Sequence, residues 1–204
     1  MSALPIEGWL AAHPPPARAA LFPLSRVSGY TVDDWLKLPE SRERIELIDG
    51  SFQVSPAPMG LHALCAGGLR TVLAKAVKAD LVAVETVNVM VGEDGLIPDV
   101  AVLPRELVMA RTVVFPASEV LAVAEVVSPG SGRTRDYDIK PPAYARAGIE
   151  VFIRVELEGA DIPRVEVLRL GAHGYEVIGR ASAGEQVTLP EPFPISFDPA
   201  ELLL

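Results

Sequence analysis

The sequence predicts an α/β domain: a central mixed β-sheet flanked by helices, with a C-terminal β meander. Three observations carry this. Apolar residues recur at spacings of three and four over residues 60–79, which is the period of an amphipathic helix. The run EVLAVAEVVS at 119–128 is almost continuously apolar, as suits a central strand covered on both faces. The runs EVFIRVEL, RVEVLRL and YEVIG then follow one another with turn residues between them. The chain has 204 residues, 50% of them apolar and 22% charged, so it is long enough for a sizeable core and is not disordered. Its net charge of −9 argues against a general polyanion binder and leaves room for a local basic groove. The single cysteine, Cys65, excludes an internal disulfide and fits a reducing cytoplasm. No apolar run reaches the ~18 residues of a membrane span, and the N-terminal stretch lacks a basic start and is broken by Pro14, Pro15 and Pro16. The expectation is a cytoplasmic protein with no membrane partner.

Residues 1–28, rich in Ala and Pro with Arg18 and Arg26 as their only cations, read as an extension packed on the body or on a neighbour. Residues 29–204 read as a single domain. Thr31 with Asp34 resembles a capping box that opens a short helix over TVDDWLKL, ending before Pro39 and burying Trp35 and Leu38. In RIELIDGSFQVS two apolar-rich runs flank Asp49-Gly50, a strong hairpin signal. In its first strand Ile45 and Leu47 share one face, Glu46 and Ile48 the other.

The helix over 60–79 carries a stripe of Leu61, Leu64, Cys65, Leu69, Val72, Leu73, Ala76 and Val77. Gly67 and Gly68 weaken it by ~1 kcal/mol each against Ala and permit close packing. Arg70, Lys75 and Lys78 form a small cationic patch, read as a solvated face. LVAVETVNVMV then reads as one strand, GEDG as a turn, and IPDVAVL as the next strand. Residues 104–118 read as a loop with a helical turn. SPGSGRTRDYDIK after the central strand reads as a loop, and PPAYARAG as a short helix stopped by Gly148. A short tail strand near QVTL completes the chain.

Three acids and one lysine carry the chemistry. Asp99 follows Pro98 at the start of an apolar strand, and Glu125 lies deep in AVAEVVSP. A carboxylate in such a run is costly to bury unless it is paired or binds a cation. Neighbouring antiparallel strands would bring the two within several ångströms and make a Mg²⁺ site, since that ion takes one or two carboxylates and keeps waters. The structural alternative is that Arg133 or Arg135 satisfies Glu125. Glu46 offers a third acid, and Lys140 a cation able to orient a nucleophile and offset charge on a phosphate.

ELIDG at 46–50, SPAP at 55–58, His62, PDV at 98–100, AEVVSP at 124–129, Asp136, Lys140 and YARAGIEVF at 144–152 occur in that order. The set resembles the putative restriction endonuclease family of the PD-(D/E)XK nuclease superfamily, over residues 30 to 204. The resemblance implies a restriction-endonuclease-like core in which Asp99 and Glu125 hold Mg²⁺, with Mn²⁺ as a substitute. Glu46 would support the site, and the reaction would be hydrolysis of a DNA phosphodiester. The lysine often found two residues after the second acid is Val127 here, so the role maps to Lys140. His62 by its place after SPAP, with Arg133 and Arg135 in the loop after Glu125, would contact substrate. Pro141 and Pro142 directly after Lys140 are a departure from the family. A residue before proline is pushed out of the α region, so Lys140 is expected in extended or capping geometry with its ammonium off the site. That keeps a second reading open, a degenerate nuclease-fold protein acting as a binding or assembly module. A third is a metal-dependent hydrolase of a small phosphoester. Tyr144 reads as core. A homodimer is expected, because two symmetric sites suit the two strands of a duplex and C2 pairing is the commonest oligomer. The Pro-rich arm and the tail DPAELLL would serve that interface.

Overall fold

The computed structural model describes residues 4–5, 29–39, 43–55, 57–128 and 131–204. The extension expected over 1–28 lies outside the described residues, apart from Leu4–Pro5 (β1). The other strands are β2 (Arg44–Ile48), β3 (Ser51–Ser55), β4 (Leu81–Glu85), β5 (Asn88–Val91), β6 (Asp94–Leu96), β7 (Val100–Pro104) and β8 (Val114–Pro116). They continue with β9 (Ala122–Val126), β10 (Val151–Glu156), β11 (Arg164–Gly171), β12 (Gly174–Ser182), β13 (Val187–Leu189) and β14 (Ile195–Phe197). The helices are α1 (Val32–Leu36), α2 (Gly60–Ala76), α3 (Arg105–Met109), α4 (Ser131–Thr134) and α5 (Lys140–Arg146).

The expected mixed α/β architecture is present, with its strands divided between two mixed sheets. One runs β1-β3-β2-β6-β5-β8 and the other β12-β11-β10-β9-β7-β4, while β13 and β14 pair separately. In the second sheet β9 and β10 are parallel and their other neighbours antiparallel. The all-buried β9 lies between β7 and β10, as its apolar run requires.

Period-2 alternation sorts the second sheet's residues between two cores. Val100, Val102, Ala122, Ala124, Val126, Val151 and Ile153 pack on Cys65, Leu69 and Leu73 of α2. Ala101, Leu103, Val123 and Phe152 pack with Tyr144 of α5 and with Ile48, Val89 and Leu96 of the first sheet. Asp99 and Glu125 therefore fall on the face turned toward the first sheet, the same core that Ile48, two residues from Glu46, enters.

Local signals place several elements. Thr31 and Asp34 form the reciprocal capping box, and Trp35 donates from Nε1 to the Ile45 carbonyl at 2.7 Å. Asp49 (φ 48°) and Gly50 (φ 68°) make the tight turn of the β2-β3 hairpin. Gly95 packs beneath Trp35, where a Cβ would meet the indole at 2.3 Å.

Other expectations are corrected. LVAVETVNVMV is two strands in different sheets, because Thr86 takes φ 52° and turns the chain between β4 and β5. Residues 104–118 hold the expected helical turn as α3, and also a strand, β8, which the loop reading omits. Leu61 and Leu64 are exposed, since the buried arc of α2 is His62, Cys65, Ala66, Leu69, Val72 and Leu73. Residues 131–140 of the segment read as a loop after β9 are helical: α4 leads into a π-helix over Arg135–Ile139, which leads into α5. Lys140 is helical, not extended (φ −66°, ψ −44°). Its N–H donates to the Arg135 carbonyl five residues back, and Pro141 and Pro142 fall in the first turn of α5, where a missing N–H costs little.

The two glycines of α2 differ. A Cβ on Gly68 would meet the Leu202 carbonyl at 2.2 Å, whereas one on Gly67 would find only Glu85 Oε1 at 3.6 Å. Gly68→Ala is expected to cost about 1–3 kcal/mol by pushing the C-terminal turn off α2. Gly67→Ala is expected to gain up to ~1 kcal/mol. Urea denaturation of both variants checks the pair.

Candidate active site

The site lies in a cavity of about 770 Å³ lined by residues of both sheets, α2 and the helices after β9. Glu46, Asp99, Glu125 and Lys140 all line it and are each at most 3% exposed. Antiparallel pairing of β7 with β9, in the register Val100 opposite Ala124, sets Asp99 across from Glu125. The hairpin brings Glu46 to them from the first sheet, and α5 brings Lys140.

Lys140 Nζ lies 2.9 Å from Glu125 Oε1, 3.0 Å from Glu46 Oε1 and 4.0 Å from Asp136 Oδ1. Two close carboxylates on one ammonium outweigh the local preference of a residue before proline, which is why Lys140 reaches the site. Glu46 Oε1 also accepts from the Ile97 N–H at 2.8 Å. Asp99 accepts from the Val126 N–H at 2.7 Å and from Arg44 Nη1 at 2.5 Å, and His62 Nε2 lies 3.2 Å from its Oδ2. Tyr144 donates its hydroxyl to Glu125 Oε1 at 2.7 Å, so it is more than core.

The electrostatics follow from burial and from these contacts. Burial pushes Glu125 up to about 8; Lys140 opposes the shift, while Asp99 and Asp136 reinforce it. Burial likewise lifts Asp136 to about 6 against the pull of Lys140. Against the same desolvation, Arg44 and then His62 hold Asp99 far below the usual carboxylate range. Glu46 is held low, against burial, by Lys140 and Arg44. Lys140 and His62 are both raised against burial, the first by Glu125 and Glu46, the second by Asp99. Cys65, buried on α2, has its thiol pushed up to about 12 and is no nucleophile.

Of the residues singled out by sequence, Glu46, His62, Asp99, Glu125, Arg135 and Lys140 line one cavity. Arg135 Nη1 donates to Ser55 Oγ at 3.0 Å and lies 3.8 Å from Glu46. Arg133 does not join them: it pairs with Glu156 and stacks over Tyr137 at 4.6 Å. The arginine beside Glu125 is neither Arg133 nor Arg135 but Arg44, whose Nη2 is 3.7 Å from Glu125 Oε2. Sequence reasoning passed over Arg44, although alternation along β2 puts it on the face of Glu46.

A family model described as Uma2, putative restriction endonuclease, matches residues 32–202. The fold is similar to the crystal structure of a putative nuclease belonging to DUF820 from Anabaena variabilis. That similarity has a TM-score of 0.65 at 21% identity and covers 85% of this chain and 97% of that one. No curated protein matches the chain. No helix among the described residues is long and apolar enough to cross a membrane.

The raised Glu125 has a consequence for stability in chelator. Its folded pKa lies above its unfolded one, so the folded state binds the extra proton and stability falls as pH rises from about 5 to 8. Glu125→Gln cannot titrate and is expected to lose less stability over that window. Urea denaturation at pH 5, 6.5 and 8 in chelator checks it.

Proposed function

The chain belongs to the Uma2 family of putative restriction endonucleases, and from that premise we propose that it is a divalent-metal-dependent nuclease that hydrolyses DNA phosphodiester bonds at the Asp99–Glu125 pair. The observation that carries the reading is this pair of buried carboxylates on facing strands, with Lys140 held at 2.9 Å from Glu125 in the same cavity.

Among the described residues no three His, Cys, Asp or Glu side chains form a metal-ligand group. Mg²⁺ asks for less, one or two carboxylates with waters filling the rest of its shell, and Asp99 and Glu125 supply those oxygens. The burial of Glu125 supports the fit, because a carboxylate there is costly unless cations answer it. A bound ion would neutralise charge on the scissile phosphate and lower the pKa of an attacking water. Lys140, fixed by Glu46 and Glu125, would orient that water and offset charge on the phosphate. Glu46 positions Lys140 and is itself fixed by the Ile97 N–H. His62 holds Asp99 through Nε2, while its Nδ1 is buried with no hydrogen-bond partner among the described residues. His62 and the Arg135 guanidinium, which both line the cavity, would meet substrate.

A second reading, hydrolysis of a small phosphoester, draws on the cavity lining. Glu43, Glu85 and Glu158 also line it, a poor surface for a continuous duplex. A cleavage screen over duplex, single-stranded and mononucleotide substrates separates the two.

Calorimetric titration with Mn²⁺, with and without a short duplex, is expected to give saturable binding that Asp99→Ala abolishes; cleavage surviving in Asp99→Ala would sink the metal reading. Lys140→Met is expected to keep Mn²⁺ binding within a few-fold and to lower cleavage by roughly 10²–10³-fold. Single-turnover rates at saturating Mn²⁺ measure it.

A further inference from the structure

The reading above leaves Arg44 without a role, and its geometry is unusual. One guanidinium spans both proposed metal ligands: Nη1 is 2.5 Å from Asp99 Oδ1 and Nη2 is 3.7 Å from Glu125 Oε2. We propose that Arg44 is a resident counter-ion that occupies the place between Asp99 and Glu125 and is displaced when a divalent ion binds there, so that it sets the metal affinity of the site. The inference rests on the metal reading of Asp99 and Glu125.

Three observations distinguish a displaceable cation from a permanent tie. An arginine that ties carboxylates permanently commits its planar fork, two parallel N–H···O bonds to one acid. Arg44 makes one short bond, and its Nε and Nη2 are buried without a hydrogen-bond partner among the described residues. The arrangement therefore leaves donors unsatisfied, which opposes its own stability. The two acids have side chains only 4% and 2% exposed, whereas that of Arg44 is 22% exposed. It also lines the cavity, so its head group can withdraw into open space while the strand stays in place. Finally, the other contacts of the acids do not depend on it. Asp99 keeps the Val126 N–H and His62, and Glu125 keeps Lys140 and Tyr144. One singly charged group can thus give way to one doubly charged ion on the same oxygens without unmaking the cluster.

The test is Mn²⁺ calorimetry on the full chain, comparing wild type, Asp99→Ala and Arg44→Gln, with melting curves to establish that each is folded. The expected result is binding by wild type that is lost in Asp99→Ala and at least tenfold tighter in Arg44→Gln, because the ion no longer competes with a guanidinium. Equal or weaker binding by Arg44→Gln, with wild-type binding intact, overturns the counter-ion role and leaves the metal site standing. Absence of binding in both folded proteins overturns the metal reading and this inference with it. Should Arg44→Gln fail to fold, the wild type decides by NMR. Saturating Mg²⁺ is expected to shift the Arg44 Nε–Hε resonance, assigned with Arg44→Lys, and an unmoved resonance overturns the proposal.

Discussion

Four carboxylates, Glu46, Asp99, Glu125 and Asp136, are buried around one cavity, and an isolated buried charge of that kind would cost several kcal/mol. Each comes from a different element: β2, the residue before β7, β9 and the π-helix. The cations that answer them, Arg44, Arg135 and Lys140, come from β2, the π-helix and α5. The ion cluster therefore ties the two sheets and the helices after β9 into one unit. Apolar packing of Ile48, Val89 and Leu96 with Ala101, Leu103 and Phe152 joins the sheets as well. The ion pairs add to that packing, since Lys140 joins Glu46 of the first sheet to Glu125 of the second.

The π-helix answers the same demand. An α-helix running on from Arg135 would require N–H groups at Pro141 and Pro142. The π turn ends with the Lys140 N–H on the Arg135 carbonyl, and the helix restarts with both prolines in its first turn. The wider turn leaves Asp136 and Lys140 facing the same cavity. A segment of Gly, Ser and charge has no apolar period from which to read a helix, so SPGSGRTRDYDIK looks like a loop in sequence. In the structure its Lys140 meets Glu46 and Glu125, a tertiary contact that the local sequence does not announce.

What the sequence does make legible follows the same division. The acids were visible because an ionisable residue in an otherwise apolar strand has to be answered by something, and alternation then gives their shared face. The Asp49-Gly50 turn and the Thr31 cap are local chemistry and are read locally. The break at Thr86 has no such marker: no Gly or Pro interrupts LVAVETVNVMV, and only the presence of two sheets makes a positive φ there worthwhile. Periodicity states which residues share a face and is silent on which sheet receives them. Arg44 is missed because a charged residue at the end of a strand normally reaches solvent; alternation in RIELIDG puts it on the face of Glu46 but does not show that it turns inward.

The net charge of −9 and the proposed phosphate-cleaving site are compatible for a local reason. Within the cavity, four buried carboxyl groups face Arg44, Arg135 and Lys140, and burial biases Glu125 and Asp136 toward their protonated, neutral forms. Under the proposed reading, a divalent ion and a phosphodiester, itself singly charged, arrive as a pair that adds one net positive charge. An ion bound there would favour the ionised form of Glu125, which would answer the added charge in a place where an unbalanced charge is expensive. A surface rich in Lys and Arg, the usual means of attracting nucleic acid, is not needed to make such a site favourable once substrate is in it; it would raise the rate of encounter instead. An acidic protein of this design gives up long-range steering. Under the same reading it would rely on the ion to hold the phosphate, so affinity for the phosphate and affinity for the metal would rise together.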